Sequence, residues 1–494
     1  MGHSKLSSHE LKKGKFITPI NAIPMSEELS DEKSWPYGRL PEYLWIGLIF
    51  KRFGRVEGLR KLNHIVMRLH GIAPELQTAR MSQILKLDCM KQKELYRVII
   101  DVGAKQALAP LTIFLTDTYA PEFSSAFYCP ELSIEDRCNL LTDTMRDLMN
   151  HQSNESTDIR FVALYFHLLS GKMHLQRNQV ELLGKYPITS HEDEIMRMVR
   201  PSVRSLEMMI LSFELAESMY IQHFWRSVSE MTECSIFSIE FPEEKREITK
   251  YMETLHEIFS YLAELFAASN PLDEKMNVLL GIATYSYKRL RELYEHNMFN
   301  SIVARSCVRV LIEDYIMMKY LVKNESTHTN IWREYQVYGL GAYKLVLTKS
   351  RERGIPEDAH FDVAFVESLV NEFKDEEFID MDTRYFDKQG IREKAVSVGE
   401  QDLYGLYYDY DSSFEHGLWG AIRESSLLKC NNPAHKYHCV PDVDATTRLK
   451  TVLPDCVMVM NKTVEFLNQM YGIPEQLVNE VMNFEIKPFT EQNQ

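Results

Sequence analysis

Glycine and proline are scarce in this 494-residue chain, 20 and 18 residues, or about 8% together, against roughly 12% in average usage. The shortage excludes collagen-like and mucin-like chains and favours long helices over many short strands joined by turns. Long apolar runs are missing too: Tyr43 to Phe50 falls far short of the roughly 20 residues that cross a bilayer. The opening MGHSKLSSHELKKGKF has no apolar core of a secretory signal. Leu6 stands where a myristoylation signal after Gly2 needs Ser or Thr. The eight cysteines (Cys89, Cys129, Cys138, Cys234, Cys307, Cys430, Cys439, Cys456) include no CxxC pair. They read as reduced, core-filling thiols of an intracellular protein. The expectation is a soluble, cytoplasmic chain without membrane contact.

Catalytic signatures are equally sparse. The sequence holds no Walker A motif, HExxH, GxSxG or GxGxxG, which argues against P-loop NTPases, zincins, α/β-hydrolases and Rossmann enzymes. Gly339-Leu-Gly341 sits in a helical pattern with no strand before it, so it makes no phosphate loop. No cofactor is expected.

What is present is helical periodicity. Pro41 marks a helix start that runs through Leu59, Leu62, Val66 and Leu69. In 301–322, Ala304, Val308, Leu311, Tyr315, Met318 and Val322 recur at three-to-four spacing. HQSNESTD (151–158) is the linker candidate of the first half. The pattern predicts an all-α protein: a flexible arm over 1–34, a helical N-terminal region of one or two domains over 35–245, a helical bundle over 247–480 and a tail over 481–494.

The net charge of −15 opposes constitutive binding to nucleic acid, but it is unevenly spread. Residues 286–323 carry seven bases (Lys288, Arg289, Arg291, Arg305, Arg309, Lys319, Lys323) against four acids, whereas 357–387 carry eleven acids against Lys374 and Arg384. If helical, Tyr404, Tyr408, Ser412 and His416 form a line of polar tips at four-residue spacing. Arg309 and Glu313 stand four apart on 301–322. Facing one another, these groups would form a polar network with His416 as acid or base and Arg309 holding an anionic oxygen. The same network serves equally to fix how helices pack.

ARSCVRVLIEDYIMMKYLV with Trp332 and Tyr335, the Tyr-x3-Tyr-x3-Ser-x3-His run and Asn432-Pro433-x-His435-x2-His438-x2-Pro441 resemble a bacterial all-α domain family of unknown function, over about 270–445. Some of its members occur in mobile or defence-associated contexts. A looser likeness is to HEPN domains, helical bundles that often dimerise and include metal-independent ribonucleases with an Arg-x4–6-His site. Four such pairs occur: Arg146/His151, Arg160/His167, Arg291/His296 and Arg353/His360; chance predicts between two and three. Arg291 and His296 have the best position, beside the family-like helix. The HEPN likeness implies a defence or stress protein cleaving RNA through its 2′-hydroxyl, with Arg291 and His296 or the Arg309, Glu313, Ser412, His416 set as catalytic residues. RNA would bind the local basic patch, and a homodimer is the implied assembly. The alternative is a non-enzymatic scaffold or sensor that binds a partner protein. Cys430-x4-His435-x2-His438-Cys439 matches no standard zinc spacing, so no metal is expected.

Overall fold

The computed structural model describes residues 5–18, 34–171, 175–210, 218–239, 241, 246–269, 272–356, 358–382, 384–443 and 449–488. The chain is all-α: about 70% is helical, and the described strands form only two two-stranded sheets and one three-stranded sheet. Contacts divide it into two units, Met1–Phe237 with Lys429–Val440, and Ser238–Leu428 with Pro441–Gln494. The segment 429–440, assigned by the sequence to the C-terminal bundle, therefore packs with the first unit. Its Ala434 is buried in that unit's core. The arm over 1–34 and the tail over 481–494 lie partly outside the described residues. Within the arm, β1 (Glu10–Lys12) and β2 (Lys15–Ile17) form an antiparallel hairpin.

In the first unit, α1 (Leu40–Ile72) carries Pro41 in its first turn, where a missing N–H costs nothing. It packs on α2 (Ile134–Leu148) and α3 (Asn154–Leu169). Gly47 permits the approach, since a Cβ there would stand 2.5 Å from Leu148 Cδ1. The Ser/Asn-rich stretch 151–158 is no linker. Ser153 caps α3 by accepting from Ser156 N, Thr157 Oγ1 donates to Ser153 O, and Ser156 Oγ donates to Leu148 O. Capping and linking use the same residue types. Helices α4 (Met196–Ile210) and α5 (Ser218–Met231) follow. Beyond α5, β3 (Ile236–Phe237) pairs antiparallel with β4 (Leu427–Cys430), which neighbours β5 (Cys439–Pro441).

The second unit is a bundle of α6 (Thr249–Ala268), α7 (Glu274–Glu295), α8 (Ile302–Asn324), α9 (Ile331–Arg353), α10 (Val363–Phe373), α11 (Asp409–Glu415) and α12 (Leu453–Tyr471). Ser301 caps α8 by accepting from Ala304 N. The stripe Ala304, Val308, Leu311, Tyr315 and Met318 is buried, with Val322 packed at its edge. This places α8 at the centre of the bundle, with its remaining polar faces turned to α7 and α11.

Candidate functional site

Arg309 and Glu313 stand one turn apart on α8 and meet the segment leading into α11. That segment is not one regular helix. Gln401–Leu403 is α-helical, Tyr404–Tyr408 widens into a π-helical turn, and α11 resumes at Asp409. The turn stacks Tyr404 and Tyr408 with ring centroids 4.7 Å apart. Arg309 donates to Tyr408 Oη at 2.8 Å and to Ser412 Oγ at 3.1 Å, with Glu313 at 3.6 Å. Tyr408 Oη donates onward to Glu313 at 3.3 Å. The guanidinium also lies over the Tyr408 ring. Arg309, Glu313 and Ser412 are thus brought together around Tyr408, in a half-buried network that leaves Arg309 few free donors. His416 does not join them. It follows the last turn of α11 as an exposed cap residue, because the helix stops at Glu415 before the four-residue line reaches it.

The second pair is not assembled either. Arg291 is exposed on α7 and held by Glu295 at 2.6 Å, while exposed His296 follows the helix's last turn. Of the other spaced pairs, Arg146 binds Asp143 and Arg160 lies buried against Glu207. Most of the basic stretch is likewise engaged by neighbouring groups, with Lys288 exposed. Arg305 reaches the carbonyls of Phe299, Ser301 and Lys450, and Arg289 donates to Tyr285 Oη at 3.1 Å. Lys319 binds Glu400 at 2.6 Å, and Lys323 donates to the Ser397 carbonyl.

Beside the network, Asp314 accepts from Ser286 Oγ at 2.7 Å. Burial, reinforced by Glu313, pushes its carboxyl up to about 7 against the opposing Ser286 hydrogen bond. Tyr335 is raised as well, first by burial and then by the charges of Asp314 and Glu313. Its ring opens onto a cleft of about 980 Å³ between α7, α9 and α10. Tyr285, Tyr335, Tyr338 and Tyr343 line it, with Gln336 and Glu372 among its polar groups. Gln336 Oε1 is buried with no hydrogen-bond partner. The sequence marks Tyr335 and Gly339 singly but does not show that α7 and α9 gather these tyrosines, with α10 closing the cleft.

The comparison with known families bears on this unit. Residues 276–435 match a family of unknown function, DUF5677. No curated protein and no solved structure matches the chain. The DUF5677 segment holds both the Arg309 network and the tyrosine cleft, agreeing with the family resemblance read over about 270–445. It names no reaction and does not extend to HEPN domains.

The far end of the DUF5677 segment reaches a different cluster, in the first unit. Cys234, Cys430, His435 and His438 place one ligand atom each within 4.8 Å of one another. The sequence offered Cys439 with the last three and predicted no metal. In the structure Cys439 stands outside the group and Cys234, far upstream, takes its place.

Proposed function

We propose that the second unit is a recognition module for a cationic segment of a partner protein. One observation carries this reading: six of the seven bases of 286–323, all but Lys288, are engaged by other groups of the chain, whereas Glu372 on the tyrosine cleft and the acids that follow it in sequence face solvent. Glu372, Asp375, Glu377 and Asp380 are exposed and, among the described residues, have no ion-pair partner. Tyrosine faces attract Lys and Arg side chains, Gln336 Oε1 adds an unfilled acceptor, and a net charge of −15 draws cations. A metal-independent ribonuclease of the defence type, acting through His416 or through Arg291 and His296, needs Arg and His together on an open basic surface; this geometry lends it no support.

The test is titration of the full chain with an arginine-rich peptide and a matched glutamate-rich one, beside incubation with total RNA in EDTA. Salt-sensitive binding of the arginine-rich peptide is expected, weakened about tenfold (~1.4 kcal/mol) in Glu372→Lys, with the RNA intact. EDTA-resistant cleavage that is lost in His416→Ala or His296→Ala, without peptide binding, would restore the nuclease.

A further inference from the structure

We infer that Cys234, Cys430, His435 and His438 form a structural zinc site that fastens the segment 429–440 within the first unit. All four ligand atoms lie within 4.8 Å of one another, and three sulfur–nitrogen separations are close to those of a tetrahedral ion. Bonds of about 2.3 Å to sulfur and 2.0–2.1 Å to nitrogen set a sulfur–nitrogen edge of about 3.6 Å. Cys234 Sγ stands 3.2 Å from His435 Nδ1 and 3.7 Å from His438 Nε2, and Cys430 Sγ stands 3.8 Å from His435 Nδ1.

The surroundings decide which nitrogen of His435 is free to bind. Its Nε2 lies 3.0 Å from the Thr232 carbonyl and 3.0 Å from Thr232 Oγ1. A carbonyl only accepts, and the Thr232 hydroxyl spends its proton on the Val228 carbonyl at 2.7 Å. His435 Nε2 therefore carries the hydrogen, and Nδ1 presents a bare lone pair to the two sulfurs. A ligating imidazole held through its other nitrogen is the usual outer support of a metal centre. Cys430 has its own support, because the backbone N–H of Asn432 donates to its Sγ at 3.4 Å.

The same surroundings shape the frame that brings the ligands together. Asn432 is buried and donates to Thr232 Oγ1 and the Glu233 carbonyl while accepting from Ala434 N. Lys436 and Tyr437 adopt positive φ, 52° and 50°, so the chain turns sharply between the two histidines and their rings stack 5.3 Å apart. Two thiolates and two imidazoles suit Zn²⁺. Four protein ligands leave no open position, so the site is structural and not catalytic. Cys234 is exposed and gives the ion its way in.

The experiment uses the full chain, purified without a metal-affinity step. Metal content is measured by mass spectrometry and the ligand set by zinc-edge X-ray absorption. One zinc per chain is expected, bound by two sulfur and two nitrogen ligands. Cys234→Ser and His435→Gln should lower zinc affinity at least tenfold against a competing chelator, and Cys439→Ser should leave it unchanged. The proposal is overturned by a chain that takes up no zinc, by a Cys234–Cys430 disulfide, or by zinc retained in Cys234→Ser. Should Cys234→Ser not fold, the absorption spectrum of the unaltered chain decides, since any ligand set other than two sulfurs and two nitrogens sinks the assignment.

Discussion

Glu207 on α4 is 2% exposed and sits between Arg39 and Arg160, with both guanidiniums over the Trp35 ring. Removing one member of such a group leaves buried charge uncompensated, at about 3–5 kcal/mol. Glu207→Gln should therefore lower stability by about 3 kcal/mol, read as a shifted urea midpoint with unchanged slope. Asp314 has the opposite sign. Its folded carboxyl is pushed up to about 7, far above its unfolded value, so the stability held by the protonated form is complete below the unfolded value and lost as pH rises through about 7. Asp314→Asn should then gain on the unaltered chain by about 2 kcal/mol between about pH 5 and about pH 8. A difference that does not change with pH would show that the carboxyl is not protonated in the fold.

Along α9 two glycines two residues apart play different parts. A Cβ on Gly341 would meet the Asp380 carbonyl oxygen at 2.6 Å, whereas one on Gly339 would meet nothing within 4 Å. Gly341→Ala should cost about 1–3 kcal/mol, because backbone cannot yield as a side chain does. Gly339→Ala should gain up to about 1 kcal/mol of helix propensity while narrowing the cleft. Thermal unfolding of the pair checks both signs, and equal effects would mean that Asp380 does not press on α9. The sequence contained part of this. The apolar stripe of α8 was legible because six positions keep one period, and the meeting of Arg309, Glu313 and Ser412 follows from four-residue spacings on two helices. His416 falls outside because α11 stops at Glu415 and the chain turns away through Gly417 at φ 56°, an end that four-residue spacing does not show. The stretch 151–158 was misread because Ser, Thr and Asn cap helices as readily as they link domains.

For the whole chain, composition and periodicity were enough for the all-α class, but two arrangements depend on contacts remote in sequence. The tyrosine cleft needs α7, α9 and α10 side by side, and no single helix declares its neighbours. The Cys/His cluster needs Cys234 beside residues that follow nearly the whole DUF5677 segment, and the nearby Cys439 supplied a misleading fourth ligand. Because each unit has its own core, loss of a zinc ion held within the first should be felt there and not throughout the molecule. Hydrogen exchange before and after chelation makes this measurable. Amides of 232–237 and 429–440 should exchange at least about tenfold faster without metal, equivalent to ~1.4 kcal/mol of lost local protection, while those of α8 keep their rates. Faster exchange of α8 to the same degree would mean that the chelator acts on the whole fold, and unchanged exchange of 429–440 would mean that the segment owes its place to Asn432 and Ala434 instead of to an ion.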